Sequence, residues 1–302
     1  MAEKSYSILL MNSLLNSFQK DFKEGTILHK LIYTNTGLFF LFSIIEVFSY
    51  LFLFDIKPIL NKLYLPANNN ILINQPWTFI TYMFLHGNFL HLLFNMLWLH
   101  FGGKIFLRYL QPKQLLAVYI LGGISGGLLF ILAFNYVPAL QALTLDARAV
   151  GASASVLAIM VAIATYSPNY SVRLPFIGTL TLKKIAIGCI ALDILSIPNG
   201  NAGGHIAHLG GAFFGYFYIK QLQKGKDYSE GLSKLIDRLI NTFKTKNKLR
   251  TVHKKPRSDY EFNSDKIAKQ KEIDKILERI AKSGYESLSK EEKATLFSAS
   301  KK

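Results

Sequence analysis

Gly151-Ala152-Ser153-Ala154-Ser155 runs without a break into Val156-Leu-Ala-Ile-Met-Val-Ala-Ile-Ala-Thr165. The apolar run predicts a buried or membrane helix, and Ser153 stands at its opening. First-turn backbone N–H groups lack intrahelical partners. A serine there is ordinarily a cap. Here, however, two other apolar segments carry histidines: His86-Gly-Asn-Phe-Leu-His91-Leu-Leu-Phe-Asn95 and His205-Ile-Ala207-His208-Leu-Gly-Gly211. Imidazole and carboxamide groups are costly inside a bilayer unless they pair or line a wet cavity, which makes them functional candidates. Serine, histidine and further hydrogen-bond donors together point to acyl transfer inside a membrane.

Half of the residues are hydrophobic, yet the net charge is +16. Both facts hold because they come from different stretches. Residues 36–221 are mostly apolar, whereas residues 222–302 carry 21 Lys/Arg against 12 Asp/Glu. This division argues against an ordinary soluble domain. The single cysteine, Cys189, lies in an apolar run, so neither a disulfide framework nor a cysteine metal cluster is expected. The patch Ile8–Met11 is soon interrupted by Asn12, Ser13 and Asn16, and no removable signal peptide is expected.

Six spans are predicted: Thr36–Phe54, Asn88–Leu107, Gln114–Phe134, Gly151–Ser167, Leu182–Pro198 and Gly203–Lys220. A helix needs ~20 residues to cross the hydrocarbon. The fifth span is the weakest, with Lys183 and Lys184 at its start and Asp193 inside it. It is kept because six spans satisfy the rule that short Lys/Arg-rich loops stay cytoplasmic, and five break it. Lys104, Arg108 and Lys113 join spans two and three, and Arg173, Lys183 and Lys184 join four and five. Lys20, Lys23 and Lys30 precede the first span, and Lys220, Lys224 and Lys226 follow the last. Both termini are then cytoplasmic, and Ser153 faces outward. The expected protein is an all-α, multi-pass chain of the bacterial inner (plasma) membrane. Residues 1–35 form a cytoplasmic N-terminal segment, 36–221 a six-span domain and 222–302 a basic cytoplasmic helical tail.

The long loop Asp55–Leu85 holds Leu63, Tyr64, Leu65, Pro66, Trp77 and Phe79, a composition suited to the membrane interface. Beyond the spans, Leu232, Leu235, Ile236, Leu239, Ile240 and Phe243 recur at helical spacing among Lys234, Arg238 and Lys244. Such a helix is expected to rest on an anionic lipid surface. Residues 245–264 read as a linker, and Ile267, Ile273, Ile276, Leu277 and Ile280 as a helix face. Ser289-x-x-Glu292 is a capping-box signal for a last helix ending near Ser298. The tail lacks interleaved aromatics and RNA-binding motifs, so no nucleic-acid partner is expected.

His91 and Asn95, four apart, share one helix face, with His86 a further turn outward at the mouth. Polar side chains in membranes often only join helices, each contributing ~0.6–2 kcal/mol. Three on one span favour function instead. Gly211-x-x-x-Gly215 is a close-packing signal, with His208 one turn before it. Packing that face on the stripe Ala154, Ala158, Ala162 brings His208 towards Ser153. His205, nearer the outside, suits a structural hydrogen bond. Asp193 either completes a triad or serves as a polar residue of the outer mouth, the latter being the expected role. Glu46 and Asp193 are the only acids well inside spans and His-Glu-x-x-His is absent, so a metal centre is not expected.

His-x4-His-x3-Asn, Gly-x-Ser and Ala-His-x-x-Gly, in this order, resemble the rhomboid family of intramembrane serine proteases. The resemblance covers residues 36–221 and not the tail. It implies a six-helix rhomboid-like bundle and a Ser–His dyad that requires no acid and uses no cofactor. Ser153 matches the nucleophile and His208 the general base. His91, Asn95 and the Ser153 N–H match the oxyanion donors, and His86 and Gly151 match supporting positions. Implied substrates are single-span membrane proteins, cut near the outer end of the span. The chain departs from the family at Ala154 (often glycine), at Thr78 after Trp77 (commonly arginine) and at Leu157 (an aromatic in some members). A rival reading is a catalytically inactive relative that binds or escorts membrane helices. A transporter is disfavoured because no internal repeat is visible.

Overall fold

Alternating apolar runs and basic or glycine-rich breaks fold this chain into helices joined by structured loops. A computed structural model describes residues 25–174, 178–243 and 259–299. The chain divides into one unit ending at Lys244 and another beginning at Thr245. In the first unit the main helices are α1 (Ile27–Phe52), α2 (Phe89–Tyr109), α3 (Pro112–Tyr136), α4 (Ser153–Tyr166), α5 (Leu182–Ser196), α6 (Ala202–Leu222) and α7 (Ser229–Phe243).

Helix starts follow local chemistry. Asn88 caps α2 by accepting the His91 N–H at 2.8 Å, and Thr181 caps α5 through the Lys184 N–H. Pro112 opens α3, where its missing N–H costs nothing. Helix α1 begins at Ile27, nine residues before the predicted start. Among the described residues, α1, α2 and α3 are long and apolar enough to cross a membrane. Helix α4 is apolar but has only 14 residues.

Helix α4 is the core, with every residue from Ala154 to Ala164 buried. Its alanines lie between two glycine-bearing helices. A Cβ on Gly211 or Gly215 of α6 would run into the backbone carbonyls of Ala154 and Ala158. From the other side, Gly122 and Gly126 of α3 leave room for the Ala158 and Ala154 methyls. Backbones thus approach where side chains are smallest, which is how helices associate without a hydrophobic gradient between them. Ser125 Oγ donates to Gly210 O at 2.9 Å and fastens α3 to α6. Asn35, wholly buried on α1, donates to the Tyr119 hydroxyl of α3 at 3.0 Å. Outward faces are greasy instead: Phe40, Leu41 and Ile44 on α1, Leu90 and Leu97 on α2, and Ile194 and Leu195 on α5 are all exposed. Apolar surface on this scale suits contact with lipid.

The all-α expectation needs one correction. Among the described residues two short antiparallel pairs occur, β1 (Leu65–Pro66) with β2 (Arg148–Ala149), and β3 (Ser171–Leu174) with β4 (Gly178–Thr181). Both lie in connections, where extended backbone finds ladder partners that helices cannot supply. The first loop is folded, with short helical turns at Lys57–Asn61, Asn69–Ile73 and Thr78–Thr81. Trp77 Nε1 donates to Lys62 O at 2.7 Å, and Thr81 Oγ1 donates to Leu63 O at 2.6 Å. Thr78, wholly buried, donates to Gln75 O at 2.7 Å. The loop is therefore held together without an arginine at position 78.

Helix α7 packs with this first unit. Asp227, just before it, accepts from Gln114 Nε2, the Tyr218 hydroxyl and the Ser229 N–H, each at 2.9 Å.

The second unit holds α8 (Asp259–Ser283) and α9 (Lys290–Ala299). Ile276 and Leu288 are buried in it, and Arg279 pairs with Glu292 at 2.7 Å. The capping box is formed, Ser289 N donating to Glu292 Oε2 and Glu292 N to Ser289 Oγ. Of the stretch read as a linker, residues 259–264 are helical, continuing the α8 pattern, and 245–258 lie outside the described residues. The N-terminal patch Ile8–Met11 also lies outside them.

Candidate active site

Ser153 is the first residue of α4, and its hydroxyl caps nothing. The N-cap position belongs to Ala152, which makes no side-chain cap bond. Ser153 Oγ instead lies 2.6 Å from His208 Nε2 on α6. The glycine–alanine packing produces this meeting: Ala154 follows the serine directly, and Gly211 lies one turn after the histidine. Backbone contact between those two positions leaves the preceding side chains facing each other across the gap.

The other ring nitrogen of His208 is also engaged. Nδ1 lies 2.8 Å from Asp193 Oδ1, and His205 Nδ1 lies 2.8 Å from the same oxygen. Asp193 comes from α5 and is mostly buried. It therefore reaches the site itself, not the outer mouth expected for it. Among the described residues these three also bring their possible ligand atoms within 4.8 Å of one another. Their 2.8 Å separations are already those of nitrogen–oxygen hydrogen bonds.

The turn before Ser153 is held on two sides. Pairing of β1 with β2 ties Leu65 to Ala149, and Ala67 N donates to Ala147 O at 3.1 Å. Gly151 N then donates to Tyr82 O at 2.9 Å, while Tyr82 OH donates to Gly123 O at 2.6 Å. Gly151 has φ +129°, a conformation that suits glycine, and the His91 ring lies directly over it.

His91, Asn95, Ser153 and His208 line one cavity of about 930 Å³, together with Trp98, Leu157, Asp193 and Asn201. Asn95 Nδ2 donates to His91 O at 2.9 Å, which occupies one of its two hydrogens. Leu157 borders the cavity as an aliphatic wall.

His86 is placed otherwise than expected. It lies in the loop before the α2 cap and not on the helix, because Asn88 takes the cap position. Only 9% of it is exposed, and it does not line the cavity. Its ring packs edge-on to His91 at 5.2 Å. Neither ring nitrogen has a hydrogen-bond partner among the described residues. Asp146, Arg148 and Asn201 are further polar residues lining the cavity. The turn Pro198-Asn-Gly-Asn201, with Asn201 at φ +48°, was a visible sequence signal for a tight connection there.

A family model described as Rhomboid domain matches residues 73–224. A second, a family of unknown function (DUF6576), matches residues 258–302. A curated relative from Arabidopsis thaliana, "RHOMBOID-like protein 12, mitochondrial", is 30% identical over 158 residues, covering 49% of this chain and 47% of that protein. The chain thus spans about half the length of the curated relative it matches.

Proposed function

The chain belongs to the rhomboid family, and on that premise we propose that it is an intramembrane serine endopeptidase acting through Ser153 and His208. The observation that carries this reading is the 2.6 Å contact between Ser153 Oγ and His208 Nε2 at the wall of a large cavity. Ser153 Oγ attacks a substrate carbonyl while its proton passes to His208 Nε2, which then protonates the leaving amine. Water hydrolyses the acyl-enzyme by the reverse path, with His208 again the base. The Ser153 N–H, His91 and the second hydrogen of Asn95 bind the developing oxyanion.

In this proposal six helices, α1 to α6, cross the membrane, with both termini on the cytoplasmic side. The basic connections 104–113 and 173–184 support that orientation. Helix α4 fits it despite its length. At 1.5 Å per residue it spans ~21 Å of a ~30 Å hydrocarbon layer. With its C-terminal end near the cytoplasmic boundary, Ser153 lies roughly 9 Å beneath the outer one, below the surface yet open to water through the cavity. Substrates are single-span membrane proteins cut near the outer end of the span. Helix α7 rests on anionic lipid, and residues 245–302 form a separate cytoplasmic unit. The relative's name assigns that protein to mitochondria. It lends no support to a bacterial plasma membrane, so the proposal is limited to a multi-pass membrane protein.

Cleavage of a single-span substrate in proteoliposomes tests the reading. Native chain is expected to cut and Ser153→Ala to be inert; cutting by Ser153→Ala would overturn the dyad. The inactive, helix-escorting alternative predicts that the native chain neither cuts nor takes up a serine-directed fluorophosphonate at Ser153.

A further inference from the structure

His208 is bonded through both ring nitrogens, to Ser153 on one side and to Asp193 on the other. A carboxylate can only accept, so His208 Nδ1 carries the ring hydrogen, and Nε2 turns a lone pair to the serine hydroxyl. That is the tautomer a general base requires. His205, one turn earlier on α6, directs its own Nδ1 at the same carboxylate oxygen and fixes it from a second direction. The side chain of Asp193 is 12% exposed, on a helix whose other face is leucine and isoleucine. An acid in that setting is costly unless its partners use it.

Resting on the protease reading above, we propose that Asp193 is a positioning residue that extends the serine–histidine pair into a Ser153–His208–Asp193 triad. As Ser153 Oγ bonds to the substrate carbon, its O–H bond breaks and the proton moves to His208 Nε2. The imidazolium so formed is stabilised by the Asp193 carboxylate, which keeps its charge and takes no proton. The same proton then leaves with the amine. Asp193 comes from α5, whereas both histidines come from α6. The carboxylate therefore holds the ring from outside its own helix, and ring rotation would break two bonds at once.

The test compares the native chain with Asp193→Asn, Asp193→Ala, His205→Ala and Ser153→Ala in proteoliposomes, on one single-span substrate. Asp193→Asn and Asp193→Ala are expected to lose kcat by about 10²–10⁴-fold with KM little changed. Sodium formate, small enough to occupy the space opened in Asp193→Ala, is expected to restore part of that kcat and none in Ser153→Ala. His205→Ala is expected to lose less than Asp193→Asn. Native kcat in Asp193→Asn would overturn the proposal. So would a loss in Asp193→Ala that tracks a lowered unfolding temperature and resists formate. If the native chain itself neither cleaves substrate nor reacts with fluorophosphonate, the protease reading fails first, and this one falls with it.

Discussion

The imidazole of His91 rests on the α-carbon of Gly151: a methyl group built there would stand 2.6 Å from Cε1 and 2.8 Å from Nε2 of the ring. The same glycine has φ +129° and donates its N–H to Tyr82. One position therefore combines backbone conformation, a ring contact and the entry to the serine turn.

Gly151→Ala is expected to be harmful on two counts. Holding alanine in that backbone region costs roughly 1–3 kcal/mol, and the methyl displaces His91 from the cavity wall. Cleavage is expected to fall further than stability does. Rates in proteoliposomes beside thermal unfolding in micelles check this; native values for both would refute the contact.

Asn95 is buried at the cavity edge with one amide hydrogen on His91 O. If the other serves the oxyanion, Asn95→Ala should lower kcat about 10²–10³-fold and leave KM nearly unchanged. Steady-state kinetics decide the matter. A drop in unfolding temperature with native kcat would make Asn95 a packing residue.

Gly211 meets the Ala154 carbonyl so closely that a side chain must part α6 from α4. Gly211→Leu is expected to destabilise the fold by about 1–3 kcal/mol and to slow fluorophosphonate labelling of Ser153 as His208 is moved away. Gly188→Ala is the control, since a methyl there meets nothing within 4 Å.

Asp227 supplies a pH-dependent contact outside the spans. Partial burial raises its pKa, but hydrogen bonds from Ser229, Gln114 and Tyr218 outweigh that and hold the carboxyl below its ordinary value. Its contribution is present above the unfolded-state pKa of ~3.9 and is lost as pH falls through the lower folded-state value. The unfolding temperature of native chain should exceed that of Asp227→Asn at neutral pH, with the gap closing below about pH 4. Lys234 and Arg238 are already exposed on α7, so at neutral pH the variant should be cut by trypsin at these two residues faster, because the loosened helix opens more often.

The helical periodicity of the core was legible because it is written locally. Small residues four apart, Ala154 with Ala158 and Gly211 with Gly215, mark the faces on which two helices touch. Once those faces are in register, Ser153 and His208 follow, each at a fixed offset from its contact. For Asp193, an acid in an apolar run, the sequence leaves two roles open, triad member or polar residue of the outer mouth, and favours the second. Nothing near it in the chain says that its oxygen meets two rings from another helix. Helical spacing carried back through Gly87 and Asn88 puts His86 a turn outward, but Asn88 caps the start of α2 and leaves His86 in the loop before it.

By itself, then, the order of residues determined where helices run, which faces are small enough to approach, and which polar groups sit among apolar ones. Those are properties of spacing along one chain, set by the 3.6-residue turn. Only the tertiary structure decided what each polar group meets: Asp193 with both histidines, Gly151 beneath His91, the first loop paired to the strand before the serine, and His86 withdrawn from the cavity. Hydrogen bonds and ring contacts form over a few ångströms between distant segments, and their geometry exists only after the helices have packed.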